Sequence, residues 1–154
     1  MEIREVQLTD EVLRELIAMS ETWETENISY GYVKNEYDDI AGNRIFLAEE
    51  NGEVIGYLFG HRVKASKSNS VVREGTEYFE LEELYVKPAH RSQGAGSALF
   101  RYMEARLEPE LKYILLGSAS KNYKAILHFY IEEMGMEFWS ARLFKRLENV
   151  ETRG

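Results

Sequence analysis

The chain has 154 residues, 44% of them hydrophobic, with 27 acidic against 19 basic side chains and a net charge of −8. That suits one folded domain spanning 1–154, too short for a second full domain and too rich in apolar residues for a disordered chain. The acidity repels polyphosphate backbones, so no nucleic-acid partner is expected, and it favours cationic partners while also keeping the protein soluble. The absence of cysteine excludes disulfides, thiolate nucleophiles and Cys-based metal sites.

The start, Met1-Glu2-Ile3-Arg4-Glu5, is charged where a leader would turn apolar, and no apolar run approaches the roughly 18 residues of a membrane span. A cytoplasmic protein with no membrane partner is expected.

In chain order, Ile3 to Val6 predicts a short strand. Thr9-Asp10 predicts an N-cap before Val12, Leu13, Leu16 and Ile17, which recur at amphipathic helical spacing. Glu21 to Asn43 is irregular, acidic and aromatic, and is expected to carry a second helix flanked by loops. Ile45 to Ala48 and Val54 to Phe59 are β-rich runs around Asn51-Gly52, a tight hairpin signal. Lys64 to Gly75 is polar and Ser-rich, so an exposed loop is expected.

Tyr78 to Val86 predicts a strand, Gly96 to Leu107 a helix, and Tyr113 to Leu116 a further strand parallel to the first. Asn122 to Met134 predicts a helix ending at Gly135, and the alternation of Phe138 to Leu147 predicts one or two final strands. The order is mixed α/β around one central sheet.

The informative stretch runs from Leu81 to Ser97: a strand ending at Pro88, a glycine-containing turn, then a helix. A turn entering a helix aims unpaired N–H groups and the positive end of the helix dipole at one point, and glycine lets an anion approach closely. Two glycines also serve simply to turn a chain. The P-loop pattern is missing its Gly-Lys-Ser/Thr end, and a dinucleotide fingerprint would need glycine where Leu99 stands.

Val86-x-Pro88-x-x-Arg91-x-x-Gly94-x-Gly96 instead resembles the acetyl-CoA motif of the GNAT superfamily of N-acetyltransferases. The resemblance implies one GNAT-type domain, its sheet mostly antiparallel with a parallel pair splayed at the cofactor site and about four flanking helices. It implies that the amides of Ser92, Gln93, Gly94, Ala95, Gly96 and Ser97 hold the CoA pyrophosphate with Arg91 beside it. The backbone of Leu84, Tyr85 and Val86 would pair with the pantetheine arm. A second stretch, Asn122-x-x-Ala125-x-x-x-Phe129-Tyr130 followed by Gly135-Met136, is similar to another family element and assigns Asn122 to the cofactor. There Tyr130 stands one residue farther from Asn122 and Gly135 than the family pattern has it. The resemblance is also compatible with a homodimer.

An alkylamine is protonated at neutral pH and needs a base before it can attack a thioester; the departing thiolate needs an acid. Strand alternation places Glu80, Glu82, Leu84 and Val86 on one face and Leu81, Glu83 and Tyr85 on the other. Family members often draw their base from this strand, sometimes through water, so the resemblance makes Glu82 the candidate base, with Glu80 and Glu83 in reserve. Tyr130 is the candidate acid and Tyr123 the spare. His61, His90 and His128 fit no metal spacing, and no metal is expected.

The acceptor is expected between the Glu21 to Asn43 segment and the Lys64 to Gly75 loop, where Glu24, Glu26, Asp38 and Asp39 could meet a cation. The expected activity is acetyl transfer from acetyl-CoA to a small cationic amine. A protein lysine or N-terminus as acceptor, or a non-catalytic acyl-CoA sensor, are the alternatives.

Overall fold

A computed structural model describes residues 1–148. Five strands, β1 (Glu2–Val6), β2 (Arg44–Glu50), β3 (Glu53–Lys64), β4 (Glu77–Val86) and β5 (Tyr113–Leu115), lie side by side in sequence order. Neighbours are antiparallel except β4 and β5, which run parallel. The architecture is the expected mixed α/β one. Asn51 and Gly52 both take positive φ (52° and 78°), the backbone a two-residue hairpin turn needs between β2 and β3.

Helix α1 (Asp10–Glu26) is capped by Thr9, whose Oγ1 accepts from Val12 N at 3.2 Å. It runs six residues into the segment expected to be irregular. The Ser20 and Thr25 hydroxyls donate to the Ile17 and Thr22 carbonyls, both at 2.8 Å, so these polar side chains are satisfied without breaking the helix. Only α2 (Tyr37–Ile40) is helical in the rest of that segment.

The sheet buries both faces. One packs Phe46, Leu58, Phe79 and Leu81 against Leu99, Phe100 and Met103 of α3 (Ala95–Ala105). The other packs Ile45, Leu47, Tyr57, Phe59 and Tyr85 against Leu16 and Met19 of α1.

A bulge corrects the expected alternation of β4. Phe59 pairs with Glu83 and Gly60 with Leu81, so Glu82 is an extra residue without an opposite number. An extra residue reverses the parity of everything beyond it. Leu84 and Val86 therefore share the α3 face with Phe79 and Leu81, and Glu80 and Glu83 come to the α1 face together instead of lying on opposite ones. Gly60 is required here: a Cβ would fall inside contact distance of the Glu80 carbonyl and 2.7 Å from the Phe79 ring.

Two further expectations change. The helix from Asn122 is α4 (Tyr123–Leu127) followed by a π turn over His128–Glu133, closed by Met134 N to Phe129 O at 2.9 Å. A π turn absorbs an extra residue, which gives the unusual Tyr130 spacing a structural counterpart. The strands expected over Phe138 to Leu147 do not form. Their alternation is real, but without ladder partners the segment stays irregular, held by Trp139 Nε1 donating to Ser70 Oγ at 2.7 Å and by Phe144 edge-on to Tyr30.

Candidate active site

Strand β5 pairs with β4 only at Tyr78, Phe79 and Glu80. β5 ends at Leu115, opposite Glu80, so the β5-facing edge of β4 from Leu81 to Val86 has no strand partner among the described residues. That edge runs directly into a 3-10 turn (Pro88–His90) and then into α3.

The turn that follows leads into a helix N-terminus without a side-chain cap. Ser92 takes φ 62° and Gly94 φ 88°, bending the chain so that α3 starts at Ala95. The first backbone bond of α3 is Ala98 N to Gly94 O at 3.0 Å, and no side chain caps it. The amides of Ala95, Gly96 and Ser97 precede that bond and carry the positive end of the helix dipole. A Cβ at Gly96 would lie 3.5 Å from the Phe129 ring, so α3 and the π turn close against each other here. Asn122, a predicted cofactor residue, spends its Oδ1 capping α4, accepting from Ala125 N at 3.4 Å. Leu84, Tyr85 and Val86 lie in this stretch of β4, paired with β3 on one side only, and the Val86 carbonyl already accepts from Arg91 Nε at 2.9 Å.

The β4 carboxylates differ by environment. Glu82, in the bulge, keeps its side chain 44% exposed, with His61 Nδ1 3.7 Å from its Oε1. Glu83 is turned inward: its Oε1 accepts from Tyr57 Oη at 2.7 Å, Asn35 Nδ2 at 2.8 Å and Tyr32 Oη at 3.1 Å. Burial pushes its carboxyl above the ordinary range despite those bonds. Burial and the neighbouring charge of Glu82 push Glu80 upward too. Sequence reasoning held Glu83 in reserve and missed its partners Tyr57, Tyr32 and Asn35. The 2-3-2 spacing of Phe79, Leu81, Leu84 and Val86 is the signal that could have revealed the bulge.

Tyr130 stands on the π turn against Phe100 and Phe129, with ring centroids 6.2 and 4.9 Å away. Burial raises its pKa, so the phenol stays protonated at neutral pH. Among the described residues no buried side-chain oxygen lacks a partner. The Tyr130 hydroxyl, for which no protein hydrogen bond is found among the described residues, is therefore buried but not completely sealed.

Of the acidic acceptor residues, Glu24 accepts from Lys34 N and Asp39 from Glu36 N, both local bonds. Glu26 takes both terminal nitrogens of Arg91, at 2.6 and 3.0 Å, and the Tyr85 hydroxyl at 2.5 Å. Burial alone would raise the Glu26 carboxyl; the bonds from Arg91 and Tyr85 outweigh it and hold it below its ordinary value. Just after α1, Ser29 bridges to Ser120 and Tyr30 N donates to Ala119 O at 2.9 Å, tying this segment to the chain leading into α4. The Lys64 to Gly75 loop joins β3 to β4 at the end of β4 opposite the turn that leads into α3. A groove of about 570 Å³ between the first half of α1 and β1–β3, lined by Glu11, Glu15, Glu49 and Lys87 among others, contains none of the predicted site residues.

The sequence model of the acetyltransferase (GNAT) family matches residues 8–136. The chain belongs to the GNAT acetyltransferase family. No curated protein sequence matches it. Among solved structures, this GNAT chain is similar to a transcriptional regulator from Bacillus halodurans C-125, with TM-score 0.67 and 18% identity over 95% of this chain and 100% of that one. It is similar to a ribosomal-protein-alanine N-acetyltransferase from Brucella melitensis biovar Abortus 2308, with TM-score 0.65 and 14% identity over 95% and 100%. An aminoglycoside 6'-N-acetyltransferase from Acinetobacter haemolyticus gives TM-score 0.61 and 17% identity over 98% and 100%. At such identities these likenesses speak for the GNAT fold alone.

Proposed function

We propose that this GNAT chain moves an acetyl group from acetyl-CoA to the nitrogen of a small cationic primary amine, by direct transfer in a ternary complex. The observation that carries the reading is the unpaired edge of β4 running into an uncapped helix N-terminus. A strand edge without a partner suits the amides of a pantetheine arm, and the free amides of α3 suit a diphosphate. Acetyl-CoA supplies the activated acyl thioester.

In this reading the chain's own groups do the rest. Glu82 stands at the bulge, beside the start of the free edge, and takes the ammonium proton, with His61 next to it toward solvent. Glu83 fixes Tyr57, Tyr32 and Asn35 beneath it. Tyr130 donates a proton to the departing sulfur, a role for which a phenol kept neutral by burial is fitted. The acidic side chains and the net charge of −8 favour a cationic acceptor.

The test is free-thiol release from acetyl-CoA against polyamines, aminoglycosides, amino acids and lysine peptides, with Glu82→Gln and Tyr130→Phe alongside. Amine-dependent release that falls about 10²-fold or more in either variant supports the assignment. Release with lysine peptides alone would make the acceptor a protein. CoA binding without release for any amine would make the chain a sensor.

A further inference from the structure

Arg91 stands directly before the amides of Ser92–Ser97, yet its charge is turned toward α1. Three of its five N–H groups are engaged: two on Glu26, at 2.6 and 3.0 Å, and one on the Val86 carbonyl at 2.9 Å. The guanidinium carbon lies 5.3 Å from the centroid of the Tyr85 ring, and the Tyr85 hydroxyl completes the set on Glu26. The Glu26 side chain is only 17% exposed. It occupies the last residue of α1, where the helix dipole disfavours an acid and no basic residue of the same turn offsets it. Its place there is explained by Arg91.

A planar guanidinium beside a diphosphate would ordinarily take that group as a bidentate partner. Building on the acetyl-CoA reading above, the geometry points to Glu26 as a positioning residue that withholds Arg91 from the diphosphate of CoA. The anion turn then grips that group through backbone amides and the helix dipole, without a free arginine, and CoA leaves readily after transfer. A residue on the acceptor-side helix thereby sets affinity at the cofactor turn.

The test measures CoA dissociation constants by calorimetry for the unmodified protein, Glu26→Gln, Arg91→Gln and the double variant, at about 50 and about 300 mM NaCl. Glutamine keeps an acceptor for Tyr85 while releasing the ion pair. Glu26→Gln should bind CoA three- to tenfold tighter at low salt, on the order of what one freed charge contributes near a surface. That gain should shrink at high salt and vanish in the double variant. Unchanged or weaker binding with the same salt dependence would leave the pair a fold contact and overturn the proposal. A gain that persists without Arg91 would assign the effect to Glu26's own charge and also overturn it. Should Glu26→Gln not fold, Arg91→Gln decides. A withheld arginine predicts the salt dependence of the unmodified protein, and a flatter one contradicts it. Failure of the unmodified protein to bind CoA would remove the acetyl-CoA reading along with this one, whereas CoA binding that Glu26→Gln does not alter removes this one alone.

Discussion

Glu83 on β4 accepts three hydrogen bonds on the α1 face, and two substitutions separate their contribution from that of its charge. Glu83→Ala leaves the Tyr57 hydroxyl, on a fully buried ring, and the amide of the buried Asn35 without their acceptor. Each stranded donor costs about 1–3 kcal/mol, roughly 2–6 kcal/mol together. At about 2–4 °C per kcal/mol for a chain of this length, the melting point should fall by roughly 5–20 °C. Glu83→Gln keeps an acceptor in place and behaves differently with pH. The folded-state pKa of Glu83 is raised by burial. Its stabilising contribution is therefore complete below the unfolded carboxyl pKa, about 4.3, and is lost as pH rises through the folded value. Glutamine does not titrate, so the stability of Glu83→Gln relative to the unmodified protein should rise from pH 4 toward neutrality. Thermal melts followed by circular dichroism across that range measure both effects. Parallel melting curves for Glu83→Gln and the unmodified protein, or an alanine variant within about 2 °C of it, would mean that Glu83 holds neither the pH dependence nor the hydrogen bonds of this face.

Three further outcomes are expected. Gly94→Ala meets no neighbour within 4 Å but must hold φ 88°, so denaturant titration should show a loss of only about 1–2 kcal/mol, while CoA affinity falls because the anion turn distorts. Gly60→Ala drives a methyl group into the Glu80 carbonyl and the Phe79 ring at the bulge; it should cost about 1–3 kcal/mol or more, and the same titration ranks the two. Leu99→Ala empties a fully buried position between α3 and the sheet and should lower unfolding free energy by about 3–5 kcal/mol.

What could be read from the sequence was what local chemistry dictates. Asn51-Gly52 announced its hairpin because few residue pairs accept two positive φ angles, and Thr9 announced its cap because a hydroxyl there satisfies Val12 N. The strand, turn and helix around Gly94 were legible for the same reason. The bulge at Glu82 was not, because alternation was carried through the extra residue, and with it went the grouping of Glu80 with Glu83. The pairing of Glu26 with Arg91 spans 65 residues and leaves no local trace. At Phe138 to Leu147 the pattern was strand-like, but pairing depends on a neighbouring edge that pattern alone does not supply.

The proposed site places acetyl-CoA along the free edge of β4 and in the turn that follows. Amide hydrogen exchange with and without acetyl-CoA maps that placement residue by residue. Slowing should concentrate at Leu84–Val86 and Ser92–Ser97, whereas protection confined to the groove between α1 and β1–β3, or no protection anywhere, would rule that placement out.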